Sequence, residues 1–224
     1  MSDFASGVRR HRVLLTLILL TLLFVGTAKA ERVLILVPDH FGANTNLFYD
    51  HFMRCGWDVT FAGQTEVVRS CIWATNNGMQ SMTMDTLISE VTDITYFDAL
   101  FIATGSSGVS TAFDDLADDL HTKNLIRSAL DNGIPVAAWC YGIKVLIAAH
   151  VLDGVKVSAS SDLIVDLRVA GATYMGTGIP AIYDHGIITG TRNKHFYREN
   201  VEAVIEAVHG TYAPAASSSK GGDQ

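Results

Sequence analysis

Cys140 is the residue whose surroundings most clearly predict chemistry, because it stands between an apolar strand and a helix in the string AWCYG. Ala138 and Gly142, two positions before and after it, are small enough to permit a sharp strand-to-helix turn that presents a nucleophile. The positive end of the following helix favours a thiolate, and the N–H of Tyr141 points to where an oxyanion would form. The sequence therefore predicts a nucleophilic cysteine; the alternative is a buried cysteine that packs as a small hydrophobic residue.

A nucleophilic thiol needs a group that takes up its proton, and His40 is the candidate. His40 and its neighbour Asp39 follow the first predicted strand. His40 could pair with Cys140 as imidazolium and thiolate, whereas Asp39 is a weaker candidate for orienting the ring, because adjacent side chains of an extended segment point apart. The alternative for His40 is a solvated loop histidine or a helix cap. Tyr141 either offers its hydroxyl to a bound carbonyl or thiol, or packs as a lid over the pocket.

An alternation of strands and helices positions these residues. Short apolar runs predict buried strands, and segments with one apolar face predict helices. The predicted strands are Arg32–Val37, Asp58–Ala62, Asp98–Ala103 and Ile134–Trp139, with hairpins over 67–84 and 181–189, and the predicted helices are Thr45–Arg54, Leu116–Leu130, Ile143–Leu152, Asp162–Ala170 and Asn193–Val208. This order predicts an α/β fold with a mostly parallel sheet and helices on both faces. Ligands bind such sheets beyond the carboxyl ends of the strands, here after Val37, Ala103 and Trp139.

Several stretches of the chain resemble one family in their order and spacing. The stretch AAWCYGIKVLIAAHVLDGVKVSA resembles the nucleophile elbow of the ThiJ/PfpI superfamily, relatives of the class I glutamine amidotransferases. RVLILVPDHFGANTNLFYDHFMRCGWDVTFAG, FDALFIATGSSG, AGATY and DHGIITGTRN also fit, so the resemblance spans about residues 32–209. It implies a flavodoxin-like three-layer sandwich that is often dimeric. Family members include glyoxalase or deglycase-type enzymes, isocyanide hydratases, peptidases, chaperones and redox sensors.

The sequence departs from the family at the positions nearest the cysteine. Relatives commonly have a glutamate at the position of His40, and many have a histidine at the position of Tyr141. Others place a histidine in the segment that matches Val157–Ser161, which contains none. Thr104 and Gly105 fall where the resemblance implies a Gly-Gly backbone that stabilises an oxyanion, with an ordinary strand-end loop as the alternative.

These departures leave two functions open. The first is an enzyme of cysteine-dependent hydrolase or lyase type, which acts without a cofactor on small carbonyl or amide compounds. The second is a non-catalytic module that senses oxidants or binds a partner and has lost the usual Glu and His of the family site.

Residues 1–30 have the pattern of a signal peptide. Arg9, Arg10 and Arg12 precede the uncharged apolar run Val13–Val25, and the small residues of Ala28-Lys29-Ala30 suit a cleavage site. We therefore expect a periplasmic or secreted protein with no stable membrane association after cleavage; the alternative is an uncleaved N-terminal membrane anchor. The folded domain is predicted over 31–212, and the Ala/Ser/Gly-rich composition of 213–224 predicts a disordered tail.

The net charge and the spacing of the cysteines exclude some classes of partner and ligand. The 224 residues carry a net charge of −7, which repels phosphate backbones, so nucleic acid is excluded and a small-molecule substrate or oxidant is expected. No metal site is predicted, because no Cys/His cluster has zinc spacing. In an oxidising compartment Cys55 and Cys71 could form a disulfide and leave Cys140 as the odd thiol; the alternative is two reduced cysteines. The family resemblance implies a homodimer.

Overall fold

The fold is taken from a computed structural model, which describes residues 29–71, 78, 80–103, 113–190 and 196–212. Residues 31–224 form one unit, separate from residues 1–30. Residues 1–28 of the signal peptide predicted over 1–30, and the tail predicted over 213–224, lie outside the described residues. Within the described ranges, every helix is too short or too polar to cross a lipid bilayer.

Seven of the described strands form one sheet. They are β1 (Arg32–Leu36), β2 (Asp58–Gly63), β5 (Thr86–Leu87), β6 (Ala99–Ile102), β7 (Val136–Trp139), β10 (Ile182–Asp184) and β11 (Ile187–Gly190). Their order is β10-β11-β7-β6-β1-β2-β5, and every neighbouring pair is parallel except the hairpin β10–β11. The predicted α/β class, with its mostly parallel sheet, is confirmed.

Four further strands make two small pairs outside the main sheet. Strands β3 (Val67–Arg69) and β4 (Ser81–Thr83) form an antiparallel ribbon, as predicted, although the turn that joins them lies outside the described residues. Strands β8 (Lys156–Ser158) and β9 (Thr173–Gly176) form a parallel pair that the sequence pattern did not indicate. Both are short and only partly apolar, so their periodicity is too weak to predict a strand.

The helices cover both faces of the sheet. They are α1 (Thr45–Arg54), α2 (Asp114–Asp118), α3 (Leu120–Asp131), α4 (Ile143–Ala148), α5 (Ile164–Val169) and α6 (Tyr197–Val208). Alternate residues of β1 belong to different apolar clusters: Leu34 and Leu36 to one, Val33 and Ile35 to the other. Because successive strand side chains point to opposite faces, these clusters are the two cores of a three-layer sandwich.

The two cores differ in composition. The core under α1 and α6 contains seven buried aromatic residues, Phe41, Phe48, Phe52, Trp57, Phe61, Phe101 and Trp139. On α1, Phe48 and Phe52 lie four residues apart and so share one helix face, which packs on the sheet. The other core is mainly aliphatic. Cys140 belongs to the aromatic core, so the end of β7 and the cysteine are packed from the side of α1.

The helix predicted over Leu116–Leu130 is two helices, and this prediction is wrong in its continuity. Asp119 has extended backbone angles between α2 and α3, and its carboxylate accepts hydrogen bonds from the N–H of Thr122 at 2.7 Å and its hydroxyl at 2.6 Å. An aspartate that caps the next turn offers the backbone an alternative to a continuous helix. The break follows from this local competition.

The sequence left a disulfide and two reduced cysteines as alternatives for Cys55 and Cys71, and these two residues, both within the described residues, are not joined. Cys55 ends α1 beside the start of β2 and is exposed, whereas the N–H of the buried Cys71 donates to Phe41 O at 2.9 Å, beyond the end of β1. The two residues therefore lie at opposite ends of the strands. A five-residue strand is about 16 Å long, more than twice the roughly 7 Å limit between the Cα atoms of a disulfide.

Candidate functional site

Cys140 occupies a strained turn at the carboxyl end of β7. Its φ is +56°, in the left-handed region, and a 3₁₀ turn over Cys140–Gly142 continues directly into α4. A non-glycine residue in this region costs on the order of 1–3 kcal/mol and persists only where the surrounding packing holds it. The structure thus contains the sharp strand-to-helix turn that the small residues around the cysteine predicted.

Gly142 is the residue whose size the turn depends on. A Cβ atom at this position would lie 3.1 Å from Ile102 Cγ2 and 3.4 Å from the carbonyl oxygen of Ala103. The elbow therefore packs directly against the end of β6. Cys140 itself is 5% exposed, so its thiol lies at the boundary between the aromatic core and the carboxyl edge of the sheet.

His40 lies at the same edge and has the same kind of strain, with a φ of +63°. Among the described residues, only two other non-glycine residues have positive φ, His150 after α4 and His185 in the β10–β11 turn. Helix ends and hairpin turns are ordinary places for this conformation. His40 and Cys140 instead follow β1 and β7, strands that flank β6 and run parallel to it. The topology thus brings both residues to one edge, where strained residues tend to be functional.

Asp39 is closer to the histidine ring than an extended segment allows. Its Oδ2 lies 3.6 Å from His40 Nδ1, with the two side chains 33% and 38% exposed. The left-handed turn at His40 brings the neighbouring side chains together, so the expectation that they point apart is wrong. The structure makes Asp39 a direct electrostatic neighbour of the imidazole.

Asp39 is also ion-paired with Arg69 of β3. The guanidinium Nε lies 3.3 and 3.2 Å from the two carboxylate oxygens, Nη2 also contacts Oδ2, and the backbone N–H of Arg69 donates to Oδ1 at 2.7 Å. Partial burial raises the pKa of Asp39, but the hydrogen bonds from the Arg69 side chain and backbone outweigh it and hold that pKa below its ordinary value. The carboxylate therefore stays charged beside His40.

The hydroxyl of Tyr141 is hydrogen-bonded to a carboxylate. It donates to Asp162 Oδ2 at 2.6 Å, and the same oxygen is 3.4 Å from Ser160 Oγ. The side chain is half-buried and packs against both cores. The sequence left a hydroxyl donor and a lid as alternatives. In the structure the hydroxyl donates its hydrogen bond to Asp162, and the ring packs beside the elbow.

The segment before Asp162 is held by buried polar contacts around β8. The N–H of Ser158 donates to Thr189 Oγ1 at 3.0 Å, and the hydroxyl of Ser158 is 3.2 Å from the carbonyl oxygens of both Gly176 and Ile179. Ser158 and Thr189 are fully buried. The segment that in some relatives contains a histidine is thus fixed to β11, and the acidic residue that follows it reaches Tyr141.

Sequence reasoning missed Asp162 and Arg69 as members of this site. Asp162 stands at a helix start, where an acidic residue usually complements the helix dipole, and Arg69 belongs to an exposed ribbon. Asp162 is 21 residues from Tyr141 and Arg69 is 30 residues from Asp39. No local signal identifies partners at such separations; only the family register hinted that the segment near Asp162 borders the site.

The remaining predicted site residues are only partly visible. Thr104 and Gly105 follow β6 but lie outside the described residues, so their predicted oxyanion role remains a prediction. The backbone N–H of Tyr141 belongs to the second residue of the 3₁₀ turn that begins at Cys140. Within the described residues, no three His, Cys, Asp or Glu side chains are grouped to hold a metal ion. The arrangement offers a thiol, an imidazole and backbone donors.

Comparison with known proteins places this site in a family. The family model described as DJ-1/PfpI matches residues 31–204. The chain is 31% identical over 150 residues to protein/nucleic acid deglycase 2 of Escherichia coli, which covers 65% of this chain and 80% of that protein. It is 32% identical over 110 residues to the putative cysteine protease YraA of Bacillus subtilis, which covers 49% of this chain and 60% of that protein.

A solved structure agrees with the fold. The crystal structure of a ThiJ/PfpI domain protein from Brachyspira murdochii superposes with a TM-score of 0.68 and covers 82% of this chain and 99% of that one. The sequence identity is 20%. At this level the likeness establishes the flavodoxin-like architecture, and the reaction must be inferred from the site itself.

Proposed function

Because the chain belongs to the DJ-1/PfpI family, we propose that it is an exported cysteine-dependent enzyme that acts on small carbonyl or amide compounds without a cofactor. The observation that carries this proposal is the left-handed elbow at Cys140, with φ +56° at the carboxyl end of β7. Such a conformation is costly, and a structure that served only to pack a small side chain would gain nothing from it. The deglycase and putative protease relatives support a carbonyl or amide substrate.

The proposed reaction begins with proton transfer from Cys140 Sγ to the His40 imidazole. The thiolate then forms a bond to the carbonyl carbon, and the π electrons of the C=O bond move to oxygen. The backbone N–H of Tyr141 and, in the predicted arrangement, the amides of Thr104 and Gly105 stabilise this oxyanion. The imidazolium of His40 returns the proton to the oxygen or to the leaving group.

Two substrate classes complete the reaction differently. An amide loses its amine with the proton from His40 and leaves a thioester, which water hydrolyses to the acid. A 2-oxoaldehyde forms a hemithioacetal. The proton on C1 then moves to C2 and the proton of the C1 hydroxyl moves to the C2 oxygen, which gives a 2-hydroxy thioester, and water hydrolyses this thioester to the 2-hydroxy acid and the free thiol. Neither path changes the net oxidation level of the substrate plus water, so neither needs a redox cofactor. The net charge of −7 favours free small molecules over nucleic acid as substrates.

Turnover of methylglyoxal and of small amides by purified protein tests the proposal. Cys140→Ser should reduce turnover to the background rate, because a hydroxyl is a far weaker nucleophile at neutral pH. Cys55→Ser is the matched control, since Cys55 is an exposed cysteine at the opposite edge of the sheet. Equal rates in wild type and Cys140→Ser, or no turnover in either, would remove the enzymatic proposal.

A second candidate is a non-catalytic sensor of oxidants. The observation that favours it is the hydrogen bond between Tyr141 and Asp162. Tyr141 is next to Cys140 in the chain, and its hydroxyl is bound to a carboxylate that does not serve as a base for the thiol. Reversible oxidation of Cys140 to sulfenic acid would be its signature. A sulfenic-acid trap that labels wild type after peroxide, in a protein without turnover, would favour the sensor over the enzyme.

The proposal also includes location and assembly. We expect cleavage after Ala30, a mature protein in the periplasm or outside the cell, and a homodimer in solution. N-terminal sequencing of the protein from a fractionated native host tests the cleavage site. Retention of residues 1–30 in a membrane fraction would support the alternative anchor. Light scattering of the mature chain tests the dimer.

A further inference from the structure

The β3–β4 ribbon is attached to the chain on both sides of His40. The N–H of Arg69 donates to the carboxylate of the preceding residue, Asp39, at 2.7 Å. The N–H of the following residue, Phe41, donates to Arg69 O at 3.1 Å, and Phe41 O accepts from the N–H of Cys71 at 2.9 Å. One residue of the ribbon therefore binds both neighbours of the strained histidine.

The ribbon is itself anchored in the aromatic core. Val68, next to Arg69, is 1% exposed and belongs to the same apolar cluster as Phe41 and Cys140. A left-handed histidine persists only where its surroundings over-determine the backbone. Here the strand β3 provides those surroundings, because Arg69 binds the side chain of Asp39 before His40 and the backbone N–H of Phe41 after it.

The side-chain contacts continue this arrangement. Asp39 Oδ2 is shared between the guanidinium of Arg69 and the imidazole, which it approaches at Nδ1, 3.6 Å away. A carboxylate next to one ring nitrogen favours the tautomer in which that nitrogen carries the hydrogen. Nε2 is then the basic nitrogen, available to a proton from the thiol. Arg69 keeps Asp39 charged and in place, as the lowered pKa of this carboxyl indicates.

We propose that Asp39 and Arg69 are positioning residues for His40: the Arg69–Asp39 ion pair holds the ring with Nδ1 toward the carboxylate and Nε2 free for proton transfer. This inference rests on the proposed role of His40 as the proton acceptor of Cys140. Neither residue touches the substrate in this arrangement. In the described residues, the charged groups in contact around His40 are Asp39 on its own loop and, through Asp39, Arg69 on β3. The titratable group that the proposed function places opposite the ring is the Cys140 thiol.

Nitrogen-15 NMR of the His40 ring in the full mature chain tests the inference without any need for activity. Wild type should show mainly the tautomer with hydrogen on Nδ1, Asp39→Asn should lose this preference, and Arg69→Gln should weaken it. Arg69→Lys should restore part of it, because the charge remains and only the forked geometry is lost. Arg54→Gln is the control: it removes an equal charge from the exposed end of α1, beside the opposite edge of the sheet.

Turnover is measured on the same variants. We expect a loss of about tenfold in kcat for Asp39→Asn, the lower range for partners that orient a functional histidine. Arg69→Gln should lose about two- to fivefold, as expected for an exposed ion pair. Unchanged tautomers in both variants relative to Arg54→Gln would overturn the inference. If wild type has no turnover, the proposed function fails, and the NMR comparison still decides whether the ion pair positions the ring.

Discussion

Two groups accompany Cys140 at the carboxyl edge of the sheet, and they are built differently. Tyr141 is half-buried, packs against both cores and donates to Asp162 at 2.6 Å, beside a segment held by fully buried polar groups. His40 is 38% exposed and is held by an exposed ion pair on a ribbon outside the main sheet. The phenol region is a rigid wall, whereas the imidazole region is accessible to solvent protons.

The difference indicates where proton transfer takes place. The Tyr141 hydroxyl donates its hydrogen bond to the Asp162 carboxylate, so this hydroxyl is engaged away from the thiol. The partly exposed His40 ring is the group that takes up the proton of the thiol in the proposed reaction. We therefore expect chemical changes on the His40 side to affect reactivity, and changes on the Tyr141 side to affect mainly stability.

The largest expected effect is on catalysis, where substitutions of His40 and of Tyr141 should differ most. His40→Gln should lower kcat/KM for methylglyoxal by about a hundredfold or more, because general acid–base catalysis contributes about 10²–10⁴-fold. Tyr141→Phe should lower it by less than about tenfold, the equivalent of one hydrogen bond of about 1 kcal/mol. Steady-state kinetics on both variants measures the ratio. A larger loss for Tyr141→Phe than for His40→Gln would reverse the assignment of the two sides.

The second effect is on stability and comes from the packing of the elbow, the turn over Cys140–Gly142. Gly142→Val places a branched side chain where a Cβ already lies 3.1 Å from Ile102 Cγ2. Overpacking of this kind costs about 1–3 kcal/mol, which urea unfolding should detect as a lower midpoint. Gly142→Ala is the milder control and should cost less. A valine variant as stable as wild type would mean that the elbow is not packed as tightly as the structure indicates.

Removal of the phenol hydroxyl tests whether the Tyr141 side is structural. Tyr141→Phe leaves Asp162 without its 2.6 Å donor and should lower the free energy of unfolding by about 0.5–1.5 kcal/mol. Asp162→Asn keeps an acceptor oxygen and should cost less than Asp162→Ala. Chemical denaturation of the three variants at one pH measures these differences. No loss in Tyr141→Phe would show that the bond adds nothing to the rigidity of this wall.

The smallest expected effect concerns the pH dependence of the His40 side. The pKa of Asp39 is lowered in the folded protein, so this carboxylate contributes stability above its unfolded pKa, and that stability is lost as the pH falls through the folded pKa. Arg69→Gln removes the main lowering interaction. We expect wild type to be more stable than this variant near neutral pH by less than about 1 kcal/mol, with the difference vanishing at strongly acidic pH.

Thermal unfolding of wild type and Arg69→Gln from pH 7 to 2 measures this difference, with Arg54→Gln as the matched charge control. A difference that grows on acidification would have the wrong sign for a depressed carboxyl pKa. It would show that the ion pair does not act through Asp39.

Much of the fold could be predicted from local sequence. The apolar run of β1 follows from the burial that a central strand needs, and β1 and α1 were both predicted close to their observed bounds. Cys140 at a strand-to-helix turn followed from the small residues around it, and the left-handed conformation there agrees. The helix break at Asp119 was missed because a capping aspartate and a helical aspartate look alike within an acidic segment.

The sequence by itself determined the order of the main strands and of most helices, the place of Cys140 and the edge of the sheet to which His40 belongs, because these depend on side chains close together along the chain. Only the tertiary structure decided the partners. It separated Cys55 from Cys71 by the length of a strand, joined Tyr141 to Asp162, and brought Arg69 to Asp39. Contacts between residues far apart in the chain depend on how the elements pack, and no local pattern encodes that packing.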